Sequence, residues 1–263
     1  MGAGRSMASG DNTDLHSRGL LRGELARGRR NFSARFDCSP LCIVAPGKLL
    51  ATELRNAVCH VRAGWACEIR DLVNGPRAIV DVYLPGDLIG LDAILRTRRS
   101  EEVLTLTSVT VEVIHEEHAL IDLMSSRPTA LYIAWLFSQK QQRAERLLSA
   151  VLCLDARGRL ATMMLDFYTR LRRRKLITGS TYNLPFTQVQ IGSHLGLTVV
   201  HVNRVLRSLR DERIVQMEKN CVTILDIERL TSLARHGLPE KSVAHINEPY
   251  SNKIAISNSE AAE

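Results

Sequence analysis

The chain has 263 residues and a mass of 29.4 kDa, which is enough to bury a sizeable core in one or two domains. Its 45% of apolar and 24% of charged residues are ordinary for a globular protein, and no apolar run reaches the roughly 20 residues of a membrane-spanning helix. Six cysteines are too few for a disulfide framework, and the N-terminus lacks the apolar segment of an export signal. We therefore expect a cytoplasmic protein without membrane contact.

The positive charge of the chain is concentrated in one block. Residues 156–236 contain fourteen Lys or Arg and six Asp or Glu, whereas residues 1–155 contain nineteen and eighteen. The remaining residues contain two and four, so that the total is +7. A basic block beside a neutral one indicates a module that binds a polyanion, or else a solvated basic face.

The first 36 residues differ in amino-acid composition from the rest of the chain. Residues 1–36 are rich in Gly, Ser and Arg and lack sustained apolar periodicity. Such a composition supplies too little apolar surface to offset the entropy of ordering the chain. We therefore predict disorder here, with a short helix near Leu20–Ala26.

A β-rich segment follows from about Leu41 to His115, in which short runs alternate with turns such as Pro85–Asp87. The run from Leu104 to Ile114 is rich in β-branched residues and nearly alternates between apolar and polar, as a half-buried strand does. Several such runs predict a small antiparallel barrel or jelly roll over residues 37–118.

The pattern of apolar residues within 119–154 predicts a long helix. Its apolar residues recur at spacings of three and four, and a narrow apolar seam of this kind commonly pairs with a copy of itself. Packing of the same seam against the N-terminal barrel is the alternative, and the two are compatible. A second helix is predicted over Ala156–Lys175. The seam consists of Ile133, Leu136, Phe137, Ala144, Leu147, Leu148 and Val151.

The segment from Phe186 to Val215 has the layout of a helix-turn-helix. Thr187 can cap the first helix, which exposes Gln188, and Gly196 suits the tight turn that follows. Thr198 can cap the second helix by accepting a hydrogen bond from an unpaired backbone N–H.

The second of these helices is apolar on one side only. On a helical wheel the apolar residues within Val202–Leu209 share one face, whereas Val200, Arg204 and Arg207 point to the opposite side, with Asn203 between the two. Arginine can donate two hydrogen bonds to guanine, asparagine can pair with adenine, and valine can contact a thymine methyl group. This face predicts reading of base edges in DNA, against the alternative of an amphipathic helix with incidental arginines.

Two short β runs after Arg213 surround Glu218–Asn220 and predict a wing. Lys219 at its tip is either a phosphate contact or a solvated turn residue. The basic run Leu171–Lys175 is either a second contact to the DNA backbone or a solvated helix end. The predicted DNA-contacting residues are Thr187, Gln188, Thr198, Val199, Val200, His201, Asn203, Arg204, Arg207 and Lys219.

From about Gly47 to Ala234 the sequence resembles the cyclic-AMP receptor protein/fumarate-nitrate reduction regulator (Crp/Fnr) family of bacterial transcription regulators. The resemblance is strongest in QIGSHLGLTVVHVNRVLRSLRDERIV and extends to VRAGWACEIRDL, YLPGDLIGLDAIL and CLDARGRLATMML. It implies an α+β fold: a cyclic-nucleotide-binding-like β-barrel (jelly roll) at 37–118, a dimerisation helix within 119–154 and a winged helix-turn-helix at 155–236. We expect residues 237–263 to be a disordered tail.

The same resemblance implies a homodimer on palindromic double-stranded DNA, with one recognition helix in each major-groove half-site, that recruits RNA polymerase. The recognition helix nevertheless departs from the family. The position of Val200 commonly holds a glutamate that pairs with cytosine, and valine cannot accept a hydrogen bond. Arg204 matches the base-contacting arginine of the family, and Asn203 stands where the redox-sensing branch often has serine. We therefore do not expect the usual half-site.

The sensory segment departs further from the family. Members that bind cyclic nucleotides use a Gly-Glu-Leu run for the ribose and a downstream Arg-Ser pair for the phosphate. Here the run is Gly90-Leu91-Asp92, so the ribose-binding carboxylate is missing or displaced, and Arg99 and Ser100 are the remaining candidates. We expect no cyclic-nucleotide ligand and no cofactor, which leaves an unidentified effector or control through the amount of protein.

The redox-sensing branch holds an iron–sulfur cluster on closely spaced N-terminal cysteines, and that triplet is absent here. We expect no metal; the candidate ligands of a cluster would be Cys38, Cys42, Cys59 and Cys67. A thiol switch at Cys38 and Cys42 is an alternative. The cysteines expected in the apolar core are Cys67, Cys153 and Cys221.

No nucleophile–base pattern, phosphate-binding Gly loop or metal-ligand spacing typical of an enzyme occurs in the sequence. The main prediction is a homodimeric DNA-binding regulator without catalytic activity. One alternative is a redox or cyclic-nucleotide sensor whose barrel chemistry controls DNA binding. The other is a winged-helix module that binds proteins and not DNA.

Overall fold

The computed structural model describes residues 10–37, 39–50, 57–71, 77–90, 102–114 and 124–235, with the backbone alone over 10–18. The elements of these residues combine helices and strands in the predicted α+β class, and none of their helices is both long and apolar enough to span a membrane. In chain order they are α1 (Gly10–Asp37), β1 (Leu41–Val44), β2 (Val58–Ala63), β3 (Ala66–Arg70), β4 (Ala78–Tyr83), β5 (Leu88–Ile89), β6 (Glu102–Thr105), β7 (Val109–Ile114), α2 (Arg127–Cys153), α3 (Ala156–Arg173), β8 (Thr181–Asn183), α4 (Gln188–Leu195), α5 (Val199–Asp211), β9 (Val215–Glu218), β10 (Cys221–Ile224) and α6 (Ile227–Arg235).

Two antiparallel sheets form the N-terminal barrel. One has the strand order β1-β7-β2-β5 and the other β4-β3-β6. Val109, Val111 and Val113 alternate along β7 and enter a core that both sheets share, as the period of two requires. Strand β2 carries a bulge between Val61 and Ala63, which bends it at the edge of the barrel.

Helix α1 contains the short helix predicted near Leu20–Ala26 and corrects the expectation of disorder for the rest of residues 10–36. Phe32 and Phe36 are buried and pack with Val58, Ile114 and Ile133, which come from β2, β7 and α2. Among the side chains of α1 that the structure describes, the buried apolar anchor lies in the last two turns, so the arginine-rich sequence shows no sustained periodicity. Residues 1–9 of the predicted disordered segment lie outside the described residues.

The crossing of α1 over α2 depends on Gly28. A Cβ atom at this position would overlap the Pro128 carbonyl group and the Tyr132 Cβ, so the two helices approach closely only because no side chain intervenes. Gly23, in the same helix, has open space around it.

Replacing Gly28 with alanine is therefore expected to lower the free energy of unfolding by about 1–3 kcal/mol, because a methyl group overpacks the crossing. Alanine at Gly23 is the matched control, and it should raise the same quantity by roughly 0.5–1 kcal/mol through helix propensity. Urea denaturation followed by circular dichroism measures both. Equal stabilisation by the two changes would show that α1 does not pack on α2 in this way.

Helix α2 confirms the predicted long helix between residues 127 and 153, while residues 115–123 lie outside the described part. The predicted apolar seam is divided between two faces. Ile133 is buried and Phe137 and Leu147 pack on core clusters, so these three face their own molecule. Leu148 points outward with 59% of its surface exposed. Much of the seam therefore packs within the chain itself, which was the alternative to pairing with a second copy.

The C-terminal part consists of α3 to α6 and a three-stranded sheet of order β8-β10-β9. Helix α3 begins after Asp155, whose side chain caps it by accepting a hydrogen bond from Gly158 N at 2.8 Å. Its apolar face packs against α5 and the sheet through Met164, Phe167 and Tyr182, and the Tyr182 hydroxyl donates to Met164 O. The predicted tail 237–263 lies outside the described residues.

The C-terminal part is docked on the barrel by apolar packing and by polar contacts. One core cluster includes residues of both parts, and Trp65 of the barrel meets Phe167 of α3 edge-on at 5.3 Å between ring centroids. The Asp87 carboxylate, in the turn before β5, pairs with both Arg170 and Arg174 at the end of α3, and these three residues are called the latch below. A second contact lies at the helix-turn-helix, where His194 hydrogen-bonds Ile79 O of β4 at 3.0 Å. The position of the helix-turn-helix relative to the barrel therefore depends on the shared apolar core together with these polar contacts.

Candidate nucleic-acid interface

Helix α4 begins with a complete capping box. Thr187 Oγ1 accepts from Gln190 N at 3.2 Å, and Gln190 Oε1 accepts from Thr187 N at 2.8 Å. Both bonds satisfy backbone donors that the first turn of a helix leaves unpaired. The predicted cap at Thr187 is confirmed, and Gln188 follows as an exposed residue at the start of the helix.

The turn between α4 and α5 has the expected geometry. Gly196 has φ +64°, the left-handed conformation that glycine adopts without strain, and Thr198 caps α5 by accepting from His201 N at 3.3 Å. Gly192 is a second requirement that the sequence reading missed. A Cβ there would overlap the Leu197 carbonyl oxygen, so a glycine one turn before the end of α4 allows the tight return of the chain.

Helix α5 presents the predicted two faces. Val202 and Leu209 are fully buried and Val205 nearly so, whereas Val200 exposes 74% of its surface. Asn203, Arg204 and Arg207 are exposed on the same side as Val200. Within the described residues neither Arg204 nor Arg207 makes an ion pair or hydrogen bond, so the outer guanidiniums are free to meet a partner.

We call this outer side of α5 the reading face, and define it by Val200, Asn203, Arg204 and Arg207. Val199 and His201 are exposed beside it at the first turn of α5. Val189 of α4 is also exposed, to 65%, and the sequence reading did not single it out. The position of Val189 in the first turn after the Thr187 cap, opposite the buried residues of α4, is the sequence signal that predicts its exposure.

The predicted wing is present as the β9–β10 hairpin. Lys219 and Asn220 both have positive φ, +45° and +67°, which is the geometry of the two-residue hairpin turn that matches strand twist. The Lys219 side chain is exposed at the tip. The structure therefore places one cation at the outermost point of the wing, in the position expected for a phosphate contact.

The basic run at the end of α3 is used within the molecule. Arg172 donates to the Tyr168 hydroxyl at 2.8 Å, and Arg174 belongs to the latch. The sequence allowed this run to be either a contact to the DNA backbone or a solvated helix end. Arg174 is not part of a solvated helix end, because it binds the barrel. Arg173 and Lys175 line a cleft beside the latch.

A network at the C-terminal end of α5 holds the reading face in place, and the sequence reading missed it. Glu212 accepts from Arg157 of α3 at 2.9 Å, from Arg229 of α6 at 2.9 Å and from Ser208 at 2.9 Å. The hydrogen bond from Arg157 is the largest cause of a lowered Glu212 pKa, which keeps this carboxylate charged. The end of α5 is thereby tied to both neighbouring helices.

The candidate cysteines within the described residues do not form a metal-binding group, although Cys42 packs on the core cluster that contains Cys59. Cys59 and Cys67 lie in the barrel core, where burial raises the pKa of each thiol to about 12 and so favours the protonated form. Cys42 is half-buried on β1. The described part of the chain contains no group of three side chains able to hold a metal ion, and Cys38 lies outside it.

Cys67 confirms the expectation of a core cysteine, but the same expectation for Cys153 and Cys221 is wrong. Both are exposed, because Cys153 ends α2 on its solvent side and Cys221 begins a strand next to the wing turn. Of the cyclic-nucleotide candidates, Gly90 adopts φ +85°, whereas Leu91, Asp92, Arg99 and Ser100 lie outside the described residues.

Comparison with known proteins agrees with the geometry of the C-terminal part. Residues 158–233 match the family model for the Crp-like helix-turn-helix domain. The fumarate and nitrate reduction regulatory protein of Vibrio cholerae is 28% identical over 185 residues, which cover 69% of this chain and 72% of that protein. The anaerobic regulatory protein of Pasteurella multocida is 26% identical over 182 residues, or 68% of this chain and 65% of that protein, slightly less than two thirds of its length.

Solved structures show the same fold over most of the chain. FixK2 from Bradyrhizobium japonicum superimposes with a TM-score of 0.64 at 20% sequence identity, covering 74% of this chain and 96% of that one. A regulator of the Crp/Fnr family from Eubacterium rectale gives a TM-score of 0.56 at 19% identity, covering 76% of this chain and 91% of that one. These likenesses extend beyond the helix-turn-helix to the barrel and the long helix.

Proposed function

We propose that the chain is a DNA-binding transcription regulator of the Crp/Fnr family without catalytic activity, and that it acts as a cytoplasmic homodimer on palindromic promoter sites. Each copy of α5 would enter one major-groove half-site, and the bound dimer would recruit RNA polymerase. The barrel would act without a cyclic nucleotide, in line with the missing ribose carboxylate in the sequence.

The observation that carries this proposal is the reading face. A buried apolar stripe fixes α5 against its domain, while two unpaired guanidiniums, one amide and one exposed valine point outward from the same helix. Arginine and asparagine are the side chains that read guanine and adenine through paired hydrogen bonds. Thr187, Gln188, Thr198 and Lys219 surround this face at helix starts and at the wing tip, where phosphate contacts position a protein on DNA.

An exposed row along α2 supports the homodimer. Its residues are spaced four and three apart, which keeps them on one side of a helix over about five turns. The inner side of α2 packs on the barrel and α1, so this row faces away from the chain's own core. The row consists of Ala134, Ser138, Gln141, Glu145, Leu148 and Leu152.

Replacing both Leu148 and Leu152 with glutamate is expected to convert the dimer to monomers. Each leucine buried in a dimer stabilises it by about 1.5–3 kcal/mol, so four charged replacements should raise the dissociation constant at least about 1000-fold. Sedimentation velocity measures the change. Glutamate at Leu225, another half-exposed leucine that lies before α6, is the control and should leave the dimer intact. A dimer that survives the double change would place the interface elsewhere.

The proposed function is tested by selecting bound fragments from sheared genomic DNA with the purified protein. The expected product is a set of fragments that share a palindromic sequence, with affinity that falls steeply as salt concentration rises because phosphate contacts release counterions. Retention of fragments that share no sequence would show that the protein binds DNA without sequence specificity. Absence of salt-dependent retention would favour a winged-helix module that binds proteins.

A further inference from the structure

Val200 is an apolar residue on an otherwise polar part of the reading face. It exposes 74% of its surface, the largest fraction among the large apolar side chains that the structure describes. The other three residues of the reading face are an asparagine and two arginines, all exposed. A single exposed valine is common on protein surfaces, so the significance of Val200 comes from its position beside these polar groups.

The helix geometry places Val200 next to Arg204. Val200 is the second residue of α5, and Arg204 follows four residues later on the same side of the helix. Residues four apart have their Cβ atoms about 5–6 Å from each other. In helix-turn-helix proteins the first residues of the recognition helix contact base edges. Val200 and Arg204 are therefore expected to contact neighbouring base pairs.

The chemistry of valine restricts what Val200 can recognise there. Its side chain has neither a hydrogen-bond donor nor an acceptor, and the apolar group among the base edges of the major groove is the C5 methyl of thymine. Contact with this methyl group removes apolar surface from water on both sides. Contact with the amino group of cytosine or adenine would instead displace water without replacing its hydrogen bond, which is unfavourable.

No carboxylate near Val200 offsets this restriction. The first turn of α5 contains no acidic residue, and its acidic residue, Asp211, is the last of the helix, about three turns away. Glu212, which follows, is bound by Arg157 and Arg229. Val199, the residue before Val200, is also apolar and exposes 37% of its surface. The exposed start of α5 therefore favours an apolar group on the DNA over a cytosine amino group.

We propose that Val200 recognises the 5-methyl group of a pyrimidine in each half-site, within one or two base pairs of the guanine bound by Arg204. The methyl group is recognised rather than the base pair, so 5-methylcytosine can replace thymine at this position whereas unmethylated cytosine cannot. The inference rests on the proposed function, since it requires α5 to lie in a major groove. It adds the chemical group that distinguishes the preferred half-site.

Replacement of thymine by uracil tests the contact, because the two bases differ only in the methyl group. Each thymine of a selected palindromic fragment is replaced in turn, in both half-sites together, and affinity is measured by competition in fluorescence anisotropy. One position is expected to lose about fourfold per half-site, or about 15-fold for both, the equivalent of one buried methyl group at each. Full affinity at every uracil-substituted position would overturn the proposal.

Cytosine and 5-methylcytosine separate the methyl group from the base pair. Both are placed opposite guanine at the uracil-sensitive position, so the two duplexes differ only in the methyl group. The methylated duplex is expected to bind about 15-fold more tightly than the unmethylated one, for the same reason as thymine over uracil. Equal affinity of the two duplexes would show that the base pair is recognised and would refute recognition of the methyl group.

Val200→Ala assigns the effect to this side chain, with Val189→Ala as the matched control. Val189 is also a valine of the helix-turn-helix, 65% exposed, but it lies on α4 outside the reading face. The ratio of thymine to uracil affinity should fall below about threefold in Val200→Ala and stay near 15-fold in Val189→Ala. A general loss of stability or of phosphate contacts lowers both affinities and leaves the ratio unchanged. A ratio that persists in Val200→Ala would exclude Val200 as the residue that recognises the methyl group.

Val200→Glu supplies a change of preference rather than a loss. A carboxylate at this position can accept from the cytosine amino group, so the preference should shift from thymine to cytosine at the uracil-sensitive position. Continued preference for thymine in Val200→Glu would place the side chain at another base pair and overturn the proposal. A protein that retains no DNA at all refutes the proposed function, whereas sequence-specific binding with unchanged ratios in every Val200 variant refutes only this inference.

Discussion

Replacing Asp87 with asparagine is expected to lower the free energy of unfolding by about 3–5 kcal/mol, the usual cost of removing one partner from a buried ion pair. Only 7% of the Asp87 side chain is exposed, and it pairs with Arg170 and Arg174, which are exposed to 11% and 28%. Asparagine keeps the shape and can still accept from Leu84 N, but it leaves two largely buried guanidiniums without a counter-charge. Urea denaturation at neutral pH measures the loss.

Asp71→Asn is the matched control for this prediction. Asp71 pairs with Arg77 at 2.9 Å, but the two side chains are 61% and 56% exposed, so solvent screens the pair. The expected loss there is about 0–1 kcal/mol. Similar effects of the two substitutions would show that the latch contributes no more than a surface pair, and that the helix-turn-helix docks on the barrel through other contacts.

The latch also predicts a pH dependence. Arg174 and Arg170 hold the pKa of Asp87 well below its usual range despite burial, so the folded state binds its proton less readily than the unfolded chain does. The stabilisation is fully present above the unfolded pKa of about 3.9 and is lost as pH falls below that value toward the folded pKa. Asp87→Asn should therefore flatten the acid side of the stability profile, whereas above about pH 5 the profile keeps its slope at a free energy of unfolding that is about 3–5 kcal/mol lower.

Arg204→Ala should reduce affinity for the selected palindromic site by about 1–3 kcal/mol and relax preference at one base position in each half-site. The reason is geometric: Arg204 lies in the first half of α5 on its exposed side, and no protein group among the described residues competes for its guanidinium. Equilibrium binding to the site and to its single-base variants measures both effects.

Arg210→Ala is the control for this second prediction, since Arg210 is equally exposed but lies at the C-terminal end of the same helix. It should leave base preference unchanged. If Arg204→Ala instead lowered affinity uniformly across unrelated sequences, Arg204 would contact phosphate and would not read a base. Val200 makes the comparison informative, because a valine there can distinguish bases only through apolar contact.

The helix-turn-helix could be read from the sequence because its signals are local. Thr187 and Thr198 cap helices through bonds to residues three positions away, and Gly196 adopts its conformation within a single turn. The apolar stripe of α5 follows from the helical period alone. Gly192 was missed because its requirement comes from the return of the chain and not from its own conformation.

Features made by distant residues could not be predicted in the same way. The seam of α2 was read as one face, but Ile133 and Leu147 pack inward while Leu148 points outward, and only the position of the barrel separates them. Cys153 and Cys221 lie in apolar runs yet are exposed, because each stands at the end of its element. Helix α1 was read as disorder because its burial depends on two phenylalanines that meet the barrel and α2.

By itself, the sequence determined the α+β class, the helix-turn-helix with its caps, the wing and the outward side of α5, since each depends on spacing, turn chemistry or helical period over a few residues. Only the tertiary structure decided which charges are used and which remain. Asp87 meets Arg170 across 83 positions of the chain, whereas Arg204 and Arg207 meet no carboxylate among the described residues. Charge neutralisation depends on separations of a few ångströms in space, and no local pattern encodes those separations.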